Sequence, residues 1–186
     1  MRNLIYAINL TIDGCFDHTN MAPDEELFDF FINLVRGTDT LVYGRITYQL
    51  MVPYWPDTLK DPSSSKAEIE FARAFDAAEK VVFSKSLERV EDKNSRLVRT
   101  NAAEEILRMK QQPGKDILVG GVVLPSYLIE HGLVDEYIFV VYPIIVGKGK
   151  RLMEGTSLQE KYRLKLVDSK ILKSGSVFLH YVKHPG

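Results

Sequence analysis

Twice this chain runs a buried-type strand into glycine and then into a segment able to turn helical. Thr40-Leu41-Val42-Tyr43 leads into Gly44-Arg45-Ile46-Thr47-Tyr48, and Ile117-Leu118-Val119 leads into Gly120-Gly121-Val122-Val123. A unit of this kind leaves backbone N–H groups free at a helix start, beside the carboxyl end of a parallel strand. In open α/β sheets that is where phosphorylated ligands bind. Two such turns, one carrying an arginine, fit a dinucleotide held at two points.

The remaining pattern agrees with an α/β chain. Leu4 to Leu10 reads as a first strand, interrupted only by the polar Asn9. Asp13-Gly14 breaks it, and with no matching strand over Cys15 to Met21 an irregular loop is expected. Pro23-Asp24-Glu25-Glu26 looks like a helix start; Leu27, Phe30, Phe31, Leu34 and Val35 follow at helical spacing, and Gly37 is the expected cap. Strands are expected at Thr40–Tyr43, Lys80–Phe83, Arg96–Val98, Ile117–Val119 and Glu136–Tyr142, with Pro143–Val146 continuing the sheet past a bend. Helices are expected at Ile46–Met51, Ala67–Ala78, Ala102–Gln112 and Ser126–His131. Pro53 to Ser65, rich in proline and serine and holding the only tryptophan, reads as a surface loop. Gly147-Lys148-Gly149-Lys150 reads as a flexible basic loop, and Tyr162–Val182 as two strands joined at Lys173–Ser176. The expected fold is one domain over 1–186: a mostly parallel sheet with helices on both faces and a C-terminal antiparallel hairpin.

Bulk properties narrow the function. The chain has 186 residues, enough for one sizeable core, and its formal net charge of −1 gives no general grip on nucleic acid or anionic lipid. No apolar run approaches the ~20 residues of a membrane span. Met1-Arg2-Asn3-Leu4 enters a strand-like segment without a signal peptide's apolar region, and Cys15 is the one cysteine. A cytoplasmic location is therefore expected. The long apolar stretch Glu136–Val146, taken to lie near a sheet edge, suggests a homodimer that buries this edge or the C-terminal hairpin.

In order and spacing the motifs are similar to a known family. They are Asn9-Leu10-Thr11-Ile12-Asp13-Gly14, Tyr43-Gly44-Arg45-Ile46-Thr47-Tyr48, Val82-Phe83-Ser84-Lys85, Val119-Gly120-Gly121-Val122-Val123-Leu124, Gly132-Leu133-Val134-Asp135-Glu136 and Pro143-Ile144-Ile145-Val146-Gly147-Lys148-Gly149. Over nearly its whole length the chain resembles the dihydrofolate-reductase-like fold. It resembles more closely the reductase domain of the bifunctional riboflavin-biosynthesis deaminase/reductase, and stand-alone relatives of that domain more closely still. The resemblance implies an NADPH-dependent reductase without a covalent intermediate, transferring hydride to a C=N or C=O bond of a small heterocyclic or carbonyl substrate. It also implies that Gly44, Arg45 and Thr47 meet the phosphate and adenosine end, that Ser84 and Lys85 flank the 2′-phosphoribose, and that Gly120, Gly121, Val122 and Val123 cradle the pyrophosphate. Arginine's planar charged fork and glycine's lack of a Cβ suit those tasks. Two departures stand out. The zinc deaminase signature needs more than one cysteine, and Val119 stands where the riboflavin reductases place a glutamate before the glycine pair.

Asp13 and Glu26 are the candidate acids, either of which could relay a proton if burial raised its pKa. Each also has a plain structural reading: Asp13 as the maker of a turn, Glu26 as a favourable charge at a helix start. Glu26-Leu27-x-x-Phe30 resembles the pterin-binding helix of dihydrofolate reductase, which keeps that enzyme as an alternative. A non-catalytic nucleotide-binding protein is the alternative from another class. His180 and His184 lie at a metal-ligand spacing but on a strand, so no metal is expected. Cys15 is read as a small buried thiol. Tyr54 and Trp55 are read as a substrate lid or a dimer contact.

Overall fold

The structure, a computed structural model, describes residues 1–16, 23–154, 158 and 161–184. In chain order the elements are β1 (Leu4–Thr11), α1 (Glu25–Gly37), β2 (Thr38–Gly44), α2 (Arg45–Thr58), α3 (Lys66–Ala77), β3 (Glu79–Phe83), β4 (Ser95–Val98), α4 (Ala102–Gln111), β5 (Asp116–Val119), α5 (Val123–Glu130), β6 (Glu136–Tyr142), β7 (Leu164–Ile171) and β8 (Val177–Lys183). The strands form one eight-stranded sheet in the order β4-β3-β2-β5-β1-β6-β8-β7. Pairing is parallel from β4 to β6 and antiparallel between β6, β8 and β7. This is the expected α/β architecture with its antiparallel end.

Alternation along each parallel strand splits the core in two. Ile5, Leu41, Tyr43, Val82 and Val140 meet α1, α2 and α3 on one face. Leu4, Tyr6, Val42, Val81 and Val119 meet α4 and α5 on the other. The strands buried on both faces therefore read as continuous apolar runs.

Some expectations are corrected. The helix expected to stop at Met51 runs to Thr58 through Pro53 and Pro56, so most of the expected surface loop is helical. Each proline removes one backbone hydrogen bond. Packing offsets the loss: Tyr48 and Val52 are buried, the Trp55 ring lies 4.3 Å from that of Phe71, and the Thr58 hydroxyl donates to Tyr54 O at 2.9 Å. Ser65, the last of three serines, caps α3 reciprocally with Glu68. Thr38, rather than Gly37, caps the end of α1. α5 begins at Val123, ahead of the expected Ser126. The sheet does not continue through Pro143–Val146, since β6 ends at Tyr142. Nor is β6 near an edge: it lies between β1 and β8, and the edge strands are β4 and β7.

The segment after β1 is tighter than an irregular loop. Gly14 N donates to Thr11 O at 2.9 Å, Thr11 N donates to Cys15 O at 2.8 Å, and Gly14 has φ +78°. Cys15 then bridges Arg151. Phe16 N donates to Lys150 O, and a Cβ on Gly149 would lie 3.3 Å from Cys15 Sγ. The basic Gly147–Lys150 loop is thus docked onto the Thr11–Cys15 turn, and the Cys15 thiol is buried beneath it. The rest of the expected Cys15–Met21 loop, 17–22, lies outside the described residues.

Candidate active site

The site is a step in the sheet. β5 stops at Val119, level with Tyr6 of β1 and Val42 of β2, while β1 continues to Thr11 and β2 to Gly44. The two flanking strands overhang the short one. Their carboxyl ends face the crevice where open α/β sheets take ligands.

Both glycine turns open onto it and touch each other. Gly120 N donates to Val42 O at 3.1 Å, and a Cβ on Gly44 would meet Leu124 Cβ at 3.9 Å. Gly121, at φ +91°, lies so close to Thr47 that a Cβ there would be 2.3 Å from Thr47 Oγ1. Arg45 is exposed at the head of α2, its Nη1 donating to Gln49 Oε1 at 3.1 Å. Among the described helices, α1, α3 and α4 have capping side chains, from Asp24, Ser65 and Asn101. The two helices whose N-caps are Gly44 and Val122, α2 and α5, have none. Their first amides are left to an anion or to water. Gly44, Arg45, Thr47, Gly120, Gly121, Val122 and Val123 are thereby brought together.

Ser84 and Lys85 lie one strand away, past the end of β3, where Phe83 pairs with Gly44. The Ser84 hydroxyl accepts from Ser86 N at 3.2 Å and Leu87 N at 2.9 Å, so it closes its own turn. Lys85 is exposed. Arg99, a residue with no motif to flag it, braces this turn by donating to Lys85 O, Leu87 O and Glu88 O.

The two acids behave differently from the expectation of a raised pKa. The Asp13 carboxylate accepts from the Thr11 hydroxyl at 2.6 Å, Gly147 N at 2.9 Å and Val146 N at 3.3 Å. The Thr11 bond, with the Gly147 and Val146 amides behind it, outweighs partial burial and holds its pKa down at about 2. Glu26 Oε1 pairs with Lys170 Nζ at 2.5 Å, and Oε2 accepts from Lys173 N at 3.0 Å. The Lys170 bond leads in lowering its pKa. It ties Glu26 to β7, at the far side of β1 from β5.

A pH dependence follows for Asp13. A carboxylate with a depressed folded pKa stabilises the fold above its unfolded value, and that stability is lost as pH falls through the folded one. In thermal melts Asp13→Asn should lower Tm at pH 7, and the gap from wild type should close between about pH 4 and pH 2. A gap that stays constant with pH would show that Asp13 contributes through shape alone.

Of the two histidines, His180 pairs with an acid: its Nε2 is 2.8 Å from Glu136 Oε2. No group of three His, Cys, Asp or Glu side chains able to hold a metal occurs among the described residues. No helix among them is long and apolar enough to cross a membrane. A groove of about 550 Å³ lies along the second half of α2, lined by Pro53, Tyr54, Asp57, Asp61 and Glu68, and contains none of the residues assembled above.

The RibD C-terminal domain model matches residues 2–178. The chain belongs to the RibD C-terminal domain family. It is 31% identical over 184 residues to the uncharacterized protein YyaP of Bacillus subtilis (strain 168), covering 97% of this chain and 94% of that one. Its fold is similar to that of a putative riboflavin biosynthesis protein from Shewanella sp. PV-4, with TM-score 0.75, 17% identity and all of both chains covered. It is also similar to the diaminohydroxyphosphoribosylaminopyrimidine deaminase/5-amino-6-(5-phosphoribosylamino)uracil reductase of Thermotoga maritima, with TM-score 0.69 and 16% identity, over 98% of this chain and 57% of that one.

Two residues of this RibD-type domain, Tyr6 and Tyr142, lie outside every sequence motif, and a third, Asn9, only opens one. The Tyr6 hydroxyl, in a fully buried side chain, donates to Gly121 O at 3.0 Å and props the glycine turn from below. Burial pushes its pKa up, so it stays a donor. Asn9 and Tyr142 line the same edge, and each carries a buried oxygen without a partner. Asn9 was visible in the sequence as a polar break in an apolar strand and as the first residue of the Asn9–Gly14 motif.

Proposed function

We propose that this RibD-type domain is an NADPH-dependent reductase that transfers hydride to a C=N or C=O bond of a small heterocyclic or carbonyl substrate. The observation that carries the reading is the meeting of two uncapped helix starts and a glycine cradle above the end of β5. The reductase activity in the name of the Thermotoga protein points the same way. Bound NADPH supplies the hydride, and the protein supplies orientation and charge.

In this reading the amides around Gly121–Val123 take the pyrophosphate, and Gly44, Arg45 and Thr47 hold the adenosine and phosphate end. Lys85, exposed beside Ser84, adds a second cation for the 2′-phosphate. Asp13 keeps the Gly147 loop against the site. Because Asp13 and Glu26 are ionised at neutral pH, both act as positioning groups and the proton comes from solvent. A dihydrofolate reading depends on Glu26, whose carboxylate is already engaged by Lys170.

The test is calorimetric titration of wild type and Arg45→Ala with NADPH and NADH. Wild type should bind NADPH more tightly, and Arg45→Ala should lose about tenfold in NADPH affinity, as for one charge-assisted hydrogen bond. No binding of either nucleotide to wild type, or equal NADPH binding by both proteins, would overturn the reading.

A further inference from the structure

α2 is apolar on two sides. Tyr48 and Val52 face the core and are buried, while Ile46, Leu50 and Tyr54 are 61%, 54% and 55% exposed. Ile46, Leu50, Pro53 and Tyr54 recur at i, i+4, i+7 and i+8, so they run as one stripe along the outside of the helix. A helix that is apolar all round is one that something covers on both sides. Charge is divided along this stripe. At its head Arg45 is exposed, and among the described residues its side chain has one partner, Gln49. At its tail Leu50, Pro53 and Tyr54 wall the groove of about 550 Å³, which also takes in Asp57, Asp61 and Glu68. No lysine or arginine is among the described residues that line it. Asp57 pairs with Lys60 at 3.0 Å, but both side chains lie largely in solvent, where such a pair is weak.

Turned end for end, the stripe complements itself. Arg45 and Asp57 lie about 18 Å apart along the helix axis at the usual rise per residue. When two copies of α2 lie antiparallel about a two-fold axis near Met51, each Arg45 faces the Asp57 of the other copy. Leu50 and Pro53 of both copies pack near the axis, and Ile46 enters the apolar part of the other copy's groove. The same patch serves on both sides, so the contact closes as a pair and does not run on into a filament. Any other partner has to bring an acid to one end of the stripe and a cation to the other. A second copy brings both in register.

We propose that the outer face of α2 is a self-association surface on which a second copy of this chain docks its own α2 antiparallel, Arg45 against Asp57. A single apolar stripe with one charge pair at each end suits a reversible contact in the micromolar range rather than an obligate one. The contact reaches the candidate active site through Arg45. In the reductase reading, on which this last step rests, Arg45 holds the phosphate end of the nucleotide. The second copy and NADPH then draw on one guanidinium, so each weakens the other.

The test is sedimentation velocity over a micromolar concentration series on wild type, Leu50→Glu, Arg45→Asp and Asp57→Arg, with thermal melts alongside. Wild type should associate as its concentration rises. Each variant should weaken association at least about tenfold, because it sets like charges, or a charge and an apolar group, against each other. All three should keep the wild-type Tm, since the side chains changed are exposed. An equimolar mixture of Arg45→Asp and Asp57→Arg should associate again, because one copy then supplies acids at both ends of the stripe and the other supplies arginines. Only a two-fold pairing of these residues restores the contact in that way. A wild type that stays monomeric, variants that associate like wild type, or a mixture that stays apart like its components would overturn the proposal. Saturating NADPH should weaken wild-type association at least about fivefold. Association that passes the mixing test and ignores NADPH would support the interface and remove Arg45 from the nucleotide reading alone.

Discussion

Gly121→Ala should raise the Kd for NADPH at least ~100-fold, a loss of ~2.8 kcal/mol. Two effects combine. Gly121 sits at φ +91°, where alanine is strained by about 1–2 kcal/mol. A Cβ there would also lie 2.3 Å from Thr47 Oγ1, 3.4 Å from Thr47 Cβ and 3.7 Å from Thr47 Cγ2. Rotating Thr47 relieves little, because a β-branched side chain on a helix has few χ1 positions and its methyl would take the place of its hydroxyl. The turn must move instead, and with it the Gly121 carbonyl held by Tyr6 and the amides at the head of α5. Titration calorimetry measures the affinity, and a melt of the same sample reports the fold. Thr47→Ala/Gly121→Ala removes the nearest clash but keeps the backbone strain. It should recover most of the lost Tm while NADPH binding stays weak. Wild-type NADPH affinity in Gly121→Ala would show that this turn does not hold the cofactor.

That contact also shows what the sequence can and cannot reveal. The two strand-glycine-helix turns are local patterns, so the parallel sheet and the residues at its carboxyl edge are readable from spacing. Their meeting depends on β5 inserting between β2 and β1, far from either in the chain, and only the fold displays it. The prolines of α2 misled for a related reason. Their local cost is written in the sequence, whereas the compensating contact of Trp55 with Phe71 comes from α3. Asp13 and Glu26 were legible as candidate acids, but neither the direction of their pKa shifts nor Glu26's place beside β7 was. Thr11 is a near neighbour of Asp13, yet the Gly147 amide comes from after β6, and Lys170 reaches Glu26 from β7. Tyr142 carries no motif, and Asn9 only opens one. They are recognised by what the folded chain fails to give them.

The largest effect on stability should come from a residue the sequence presents only as the start of a strand. Lys80 is completely buried at the amino end of β3. Its ammonium pairs with Asp92 Oδ2 at 3.1 Å, donates to Phe75 O at 3.0 Å and Ala78 O at 3.1 Å, and lies 4.8 Å from the centre of the Phe75 ring. A cation at the carboxyl end of α3 is favoured by the helix dipole, and Asp92 balances its charge. Asp92 is itself buried and also accepts from Asn94 N and Ser95 Oγ, so the pair joins α3, β3 and the turn into β4. Lys80→Met keeps much of the volume but strands the Asp92 carboxylate and two or more carbonyls. Breaking a buried pair from one side costs about 3–5 kcal/mol. At roughly 2–4 °C per kcal/mol for a domain of this size, Tm should fall by about 6–20 °C. Asp92→Asn keeps an acceptor for the turn and should cost less. The double variant should be more stable than the two single losses predict, by about 1–3 kcal/mol, because no charge is left stranded. A Lys80→Met protein within ~1 kcal/mol of wild type in a urea melt would show that the pair adds nothing beyond its volume. Ser84 lies at the other end of β3, so the folded variant should bind NADPH as wild type does. Stability and cofactor affinity thus separate along a single strand.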